Sequence, residues 1–177
     1  MTWTKYYEIW KINLVNNLMY MADFVSFAVF ILIILFIFVQ LWQAIYATKP
    51  LIEGFTMPMM IWYLLMTESI VTSQSIIKEI SKEIKSGDIA YTLNKPYNII
   101  GYHFAKSLSQ FMIGFTITFS IGLILVYSLV GGINVSLVSL PFIALAVVLA
   151  FSIHFLLSAA LGLTSFWLEE ISGIRFV

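Results

Sequence analysis

Long apolar runs without charge alternate along the chain with short segments that carry most of the charged residues. A membrane-spanning helix needs about 20 predominantly apolar residues to cross roughly 30 Å of hydrocarbon. Residues 24–48, between Asp23 and Lys49, contain no charged side chain, and neither does the much longer interval between Lys106 and Glu169. The first interval predicts one span, and the second is long enough for two.

Turn-forming residues interrupt the longer interval. Gly131-Gly132 provides backbone freedom for a turn, and Pro141 stands where proline favours the first turn of a helix. The pattern therefore predicts a hairpin of two spans, at residues 101–130 and 141–168.

A fourth apolar stretch covers residues 56–74. It opens with Thr56 and Pro58 in capping positions, and its centre is apolar although it includes Glu68. We count this stretch as the second span, after residues 24–48. The fold class predicted is therefore all-α: a polytopic membrane protein with four transmembrane helices in a single domain, residues 1–177.

Residues 1–22 show the helical periodicity of an amphipathic segment. Such an aromatic-rich helix suits the headgroup plane of a bilayer, and the sequence offers no soluble domain on which it would otherwise pack. We therefore predict an interfacial helix. Its apolar stripe comprises Trp3, Tyr7, Trp10, Leu14, Leu18 and Met21, opposite Lys5, Glu8, Asn13, Asn16 and Asn17.

A second amphipathic segment lies between the second and third spans, within residues 75–98. Isoleucines 76, 77, 80 and 84 form one stripe, lysines and glutamates cover the other faces, and Gly87 is placed as a helix stop. Two interpretations stay open. The helix lies on the bilayer with its lysines at lipid phosphates, or it is a docking surface for a cytoplasmic partner.

The distribution of basic residues predicts the orientation. Five of the nine Lys and Arg residues fall between Ser75 and Lys106, and the amino-terminal stretch adds Lys5 and Lys11. The loops between the first and second spans and between the third and fourth spans contain only Lys49. We expect the protein to lie in the plasma membrane, with its amino terminus and residues 75–100 on the cytoplasmic side.

Composition supports membrane insertion and excludes several chemistries. The chain is 61% hydrophobic and 10% charged, against about 25% charged in soluble proteins. Its zero net charge argues against nucleic-acid binding, and it has no cysteine and no phosphate-binding G-x-x-x-x-G-K-[ST] loop. Because His103 and His154 have no carboxylate at metal-ligand spacing, we expect no metal site, no cofactor and no enzymatic activity.

The order of these segments, with the Gly87-Asp88-Ile89 and Leu93-Asn94-Lys95-Pro96 elements, resembles the permease subunits of type-2 ABC exporters. The resemblance covers essentially the whole chain. It implies a separate ABC ATPase subunit as partner, a second permease copy (homodimer or heterodimer), and a coupling helix at residues 76–86. The implied ATPase contacts are Ile80, Lys82, Glu83, Lys85, Gly87 and Asp88. Such permeases typically have six spans, so a chain with four suggests a shortened gene product or a fragment.

Two other functions stay open. One is half of a proton-coupled secondary transporter, with Glu68 and His154 as candidate polar groups of the pathway or bundle interior. The other is a non-transporting anchor that holds a cytoplasmic complex through residues 75–98. The sequence does not identify a substrate.

Overall fold

A computed structural model describes residues 2–71, 76–133 and 135–167. These ranges contain no β-strand, and the predicted all-α class is confirmed. Short 3-10 helices occupy Leu137–Ser139 and Thr164–Phe166. The α-helices of the described residues are α1 (Thr2–Met19), α2 (Met21–Tyr46), α3 (Met57–Val71), α4 (Ile76–Ser86), α5 (Ile89–Leu93), α6 (Ile99–Val130) and α7 (Leu140–Leu163).

Three helical segments of the described chain are long and apolar enough to cross a membrane: α2, α6 and Leu137–Phe166, which includes α7. They correspond to the predicted first, third and fourth spans. The helix in the predicted second span is α3, whose 15 residues rise about 22 Å, less than the hydrocarbon thickness. The end of that predicted span, residues 72–74, lies outside the described residues.

The main apolar core joins α2, α3 and α6. Leu35, Leu65 and Val126, one from each helix, are fully buried in it. Gly122 permits the close approach of α3 to α6, because a Cβ at this position would lie 2.3 Å from Cδ1 of Leu65. The indole of Trp62 donates a hydrogen bond to the carbonyl oxygen of Gly131 (3.1 Å) and ties α3 to the end of α6.

Helix α1 runs beside the first half of α6, in the same direction. The backbone N–H of Asn98 donates to the Tyr6 hydroxyl (3.1 Å), and eleven residues further along each helix the Asn17 amide donates to Ser109 Oγ (3.1 Å). Asn17, predicted on the polar face away from the apolar stripe, is therefore directed at a neighbouring helix that offers a hydrogen-bonding hydroxyl. The interfacial position of α1 in a bilayer stays a prediction.

Gly131 and Pro141 lie at the two ends of the connection between α6 and α7. Gly131 ends α6 with a φ of +83°, a conformation that favours glycine, and Pro141 lies in the first turn of α7. Many apolar side chains of α7 are exposed, including those of Leu145, Leu149 and Leu156. Such a surface is suited to contact with lipid chains.

Candidate functional site

The candidate site is built on α4, the short helix of the amphipathic segment. Its eleven residues coincide with the stretch predicted as a helix, and Glu79 in the first turn and Lys85 in the last turn complement the helix dipole. Gly87 follows with a φ of +79°, which a β-carbon disfavours, and ends the helix as predicted from the sequence. Three faces of α4 have different surroundings.

The apolar face of α4 packs into the protein. Ile76 and Ile80 are each 2% exposed and form a core cluster with Phe155 and Ala159 of α7. Gly162, one turn further along α7, provides the room: a Cβ there would lie 3.0 Å from Cβ of Ile80. In the structure this face of α4 is therefore held by α7, whereas one sequence interpretation laid it on the bilayer.

The acidic face of α4 contacts the first turns of α6. Oε1 of Glu79 accepts a hydrogen bond from Nζ of Lys106, and it lies 3.9 Å from Nδ1 of His103. On the next turn of α4, Oε2 of Glu83 lies 3.4 Å from Nε2 of the same imidazole. The His103 side chain is 1% exposed, so this polar cluster is enclosed between the two helices.

The basic face of α4 is open. Lys78, Lys82 and Lys85 are exposed, and together with Ser81 and Ser86 they line a shallow hollow on the outside of the helix. Three ammonium groups on one face of α4 make a positive surface. This surface is available to a partner of opposite charge.

A tight turn follows α4. The Ser86 hydroxyl donates to Oδ2 of Asp88 (2.7 Å), and the buried side chain of Ile89 starts α5. The exposed side chains of the turn extend the open surface of α4 from Lys85 to Asp88.

The loop between α5 and α6 connects the site to α1. Nζ of Lys5 donates to the carbonyl oxygen of Pro96 (3.1 Å). A hydrogen bond and charge interaction with Tyr97 raise the pKa of the exposed Lys95. Asn98 then caps α6, its Oδ1 accepting from the N–H groups of Ile100 and Gly101 at 2.9 and 3.1 Å.

The predicted ATPase contacts divide into two groups in this arrangement. Lys82, Lys85, Gly87 and Asp88 are exposed, but Ile80 packs under α7 and Glu83 faces His103. Ile80 is 2% exposed and lies in the interior cluster, and its contact with a partner stays a prediction. Its apolar character follows from packing within the chain.

Glu68 lies on α3 and His154 lies on α7, and both side chains are partly buried. Among the described residues, Nδ1 of His154 has no hydrogen-bond partner. The nearby Ser152 hydroxyl donates to Val148 O (2.8 Å), within its own helix. A role for either group in a proton pathway stays a prediction.

The polar cluster of Glu79, Glu83, His103 and Lys106 is the feature that sequence reasoning missed. Metal-ligand spacing along one helix does not reveal a histidine on α6 that faces two carboxylates on α4. The sequence does contain a signal for this contact. Glu79 and Glu83, at i and i+4, place two carboxylates on one face of α4, and His103 and Lys106, at i and i+3, place two basic groups on one face of α6.

The helices and their exposed apolar surfaces define the class: the chain is a multi-pass, all-α membrane protein. A protein-family model described as "ABC-2 family transporter protein" matches residues 30–177, most of the chain. The chain therefore belongs to the ABC-2 transporter family, the membrane permeases of ABC transporters. Searches of the curated proteins and of the solved structures find no match.

Proposed function

We propose that this chain is the membrane-spanning subunit of an ATP-driven exporter and that α4 is its coupling helix. In this proposal a separate ABC ATPase binds the exposed surface from Lys78 to Asp88, while the permease itself has no ATPase site. A second permease copy, the plasma membrane and a cytoplasmic amino terminus belong to the same proposal. Family membership supports it, since ABC-2 permeases work with an ABC ATPase.

One observation carries the coupling role: α4 is open on its basic face and attached to spanning helices on its other two faces. Ile80 packs against α7, and Glu79 and Glu83 contact α6. A force applied to the open face therefore moves the inner ends of α6 and α7, because packed helices transmit displacement rather than absorb it. Closure of an ATPase dimer would supply that force.

The residue roles follow from this division. Lys82, Lys85, Gly87 and Asp88 are the proposed ATPase contacts, since they are exposed. Ile80 and Glu83 are proposed to transmit the movement to α7 and α6 instead of touching the ATPase.

Charge reversal tests the proposal. The double variant Lys82→Glu and Lys85→Glu would place negative charge against a partner surface that is expected to be acidic. We expect a loss of about tenfold or more in the amount of ATPase that co-purifies with the permease from the native membrane in mild detergent. Lys49→Glu, in the loop of the opposite predicted side, is the matched control and should recover the normal amount. Equal recovery from all three proteins would contradict the assignment.

The co-purified protein also separates the alternatives. A chain with a phosphate-binding G-x-x-x-x-G-K-[ST] loop supports the exporter, whereas an enzyme without one supports the anchor hypothesis. For the secondary transporter, Glu68→Gln should abolish transport, and its full activity would count against a proton relay.

A further inference from the structure

The junction of α4 and α6 contains three side chains that are typical metal ligands. Glu79 and Glu83 project from successive turns of α4 towards His103 of α6. One ligand atom from each of the three residues lies within 4.8 Å of the other two.

The imidazole of His103 is buried, and it has no hydrogen-bond partner in the part of the chain that the structure describes. Its side chain is 1% exposed, and neither ring nitrogen makes a hydrogen bond within the described residues; the same is true of Oε2 of Glu83. Leaving a buried polar group unsatisfied costs about 1–3 kcal/mol, so such groups usually have a partner. Nε2 of His103 and Oε2 of Glu83 face each other, and their positions point to a ligand that binds both.

The spacing of the ligand atoms suits a small divalent ion. Zinc bonds of about 2.0–2.2 Å at tetrahedral angles separate two ligand atoms by about 3.4 Å. An ion binds an imidazole through one nitrogen, and Nε2 of His103 lies 3.4 Å from Oε2 of Glu83. Rotation of the Glu79 side chain would add the third ligand, because one ligand atom of each residue lies within 4.8 Å of the other two.

The surrounding groups favour a cation and orient its ligands. Two carboxylates and one ammonium group leave a net charge of −1 around a neutral imidazole. Lys106 binds Oε1 of Glu79, which leaves the second oxygen of that carboxylate for another interaction. The ring of Tyr102 packs edge-on against the imidazole of His103, with 5.2 Å between the ring centroids, and restricts the rotation of the imidazole.

We propose that Glu79, Glu83 and His103 bind one divalent first-row transition ion of the Zn²⁺ type, which bridges α4 and α6. One imidazole and two carboxylates match the ligand preference of such ions, whereas Mg²⁺ and Ca²⁺ prefer all-oxygen sites. Three protein ligands leave a fourth position for water or another ligand. The site does not depend on the proposed transport function.

Zinc titration of the purified full-length chain in detergent tests the proposal. The chain has two histidines and no cysteine, so with a tag free of histidine the background from soft ligands is low. Calorimetry with Zn²⁺ should show one site per chain, unaffected by millimolar Mg²⁺. Glu83→Gln and His103→Gln should each weaken binding at least about tenfold.

His154→Gln is the matched histidine control, because it removes the other imidazole from a different helix. It should bind Zn²⁺ with the affinity of the unaltered chain. If the α4–α6 variants fail to fold, X-ray absorption of the zinc-loaded unaltered protein decides between the outcomes: one nitrogen and two carboxylate ligands support the site. A different ligand set, no binding, or equal loss in His154→Gln would overturn it.

Discussion

At the scale of single residues, close packing determines how α4 is held. Gly162 lets α7 approach α4 closely, because a Cβ added there would lie 3.0 Å from Cβ and 3.3 Å from Cγ2 of Ile80. A glycine inside a helix costs about 1 kcal/mol relative to alanine, so this residue is intrinsically unfavourable for α7. The contact with α4 accounts for it.

Gly162→Val is therefore expected to displace α4 from α7. The added atoms overlap with Ile80, and overpacking of this kind lowers the free energy of unfolding by about 1–3 kcal/mol. Ala160→Val places the same side chain on an exposed face of α7 and should change it by less than about 0.5 kcal/mol. Thermal unfolding in detergent measures both, and equal values for the two variants would exclude a tight α4–α7 contact.

At the scale of elements, the start of α6 depends on its cap. The Asn98 side chain satisfies two N–H groups that have no partner within the helix. The same turns of α6 position His103 and Lys106 against α4, so the cap supports the polar cluster as well as the helix.

Asn98→Ala should destabilise the protein by about 1 kcal/mol, since it removes both cap hydrogen bonds. Asn98→Asp retains an accepting oxygen at a helix amino terminus and should restore most of that loss. Hydrogen exchange at the amides of Ile100 and Gly101 provides a local measurement and should accelerate in the alanine variant alone. Equal exchange in the two variants would show that the side chain does not cap α6.

At the scale of the whole molecule, orientation decides whether α4 is within reach of an ATPase. Helix α6 is about 48 Å long, which exceeds the hydrocarbon thickness by about 12 residues. Its first turns, with their charged and polar side chains, are the part that is costly to place in lipid. The polar cluster with α4 therefore belongs at a membrane surface, and the lysine distribution predicts the cytoplasmic one.

Cysteine labelling checks this orientation, because the natural chain has no cysteine. Tyr91→Cys and Val138→Cys replace side chains that are 75% and 74% exposed, on opposite predicted sides of the membrane. In intact cells an impermeant maleimide should label Val138→Cys, and Tyr91→Cys should react only after permeabilisation. The reverse result would place α4 outside the cell and exclude a cytoplasmic ATPase contact.

Local pattern in the sequence was sufficient for the helices themselves. Apolar run length, the isoleucine spacing of α4 and the positions of Gly87 and Pro141 predicted helices that the structure contains, because these signals act over a few residues. Helix α3 begins at Met57, one residue after the predicted start of its span, whereas the predicted end at residue 74 lies outside the described residues.

What only the tertiary structure decided is which helix faces meet. The sequence by itself determined an all-α membrane protein with a basic, amphipathic α4, since composition and periodicity are properties of the chain alone. It did not reveal that Ile80 is buried by α7 or that Glu83 meets His103 across the α4–α6 junction. Such contacts join residues on separate helices, and they depend on how the helices pack rather than on spacing along any one of them.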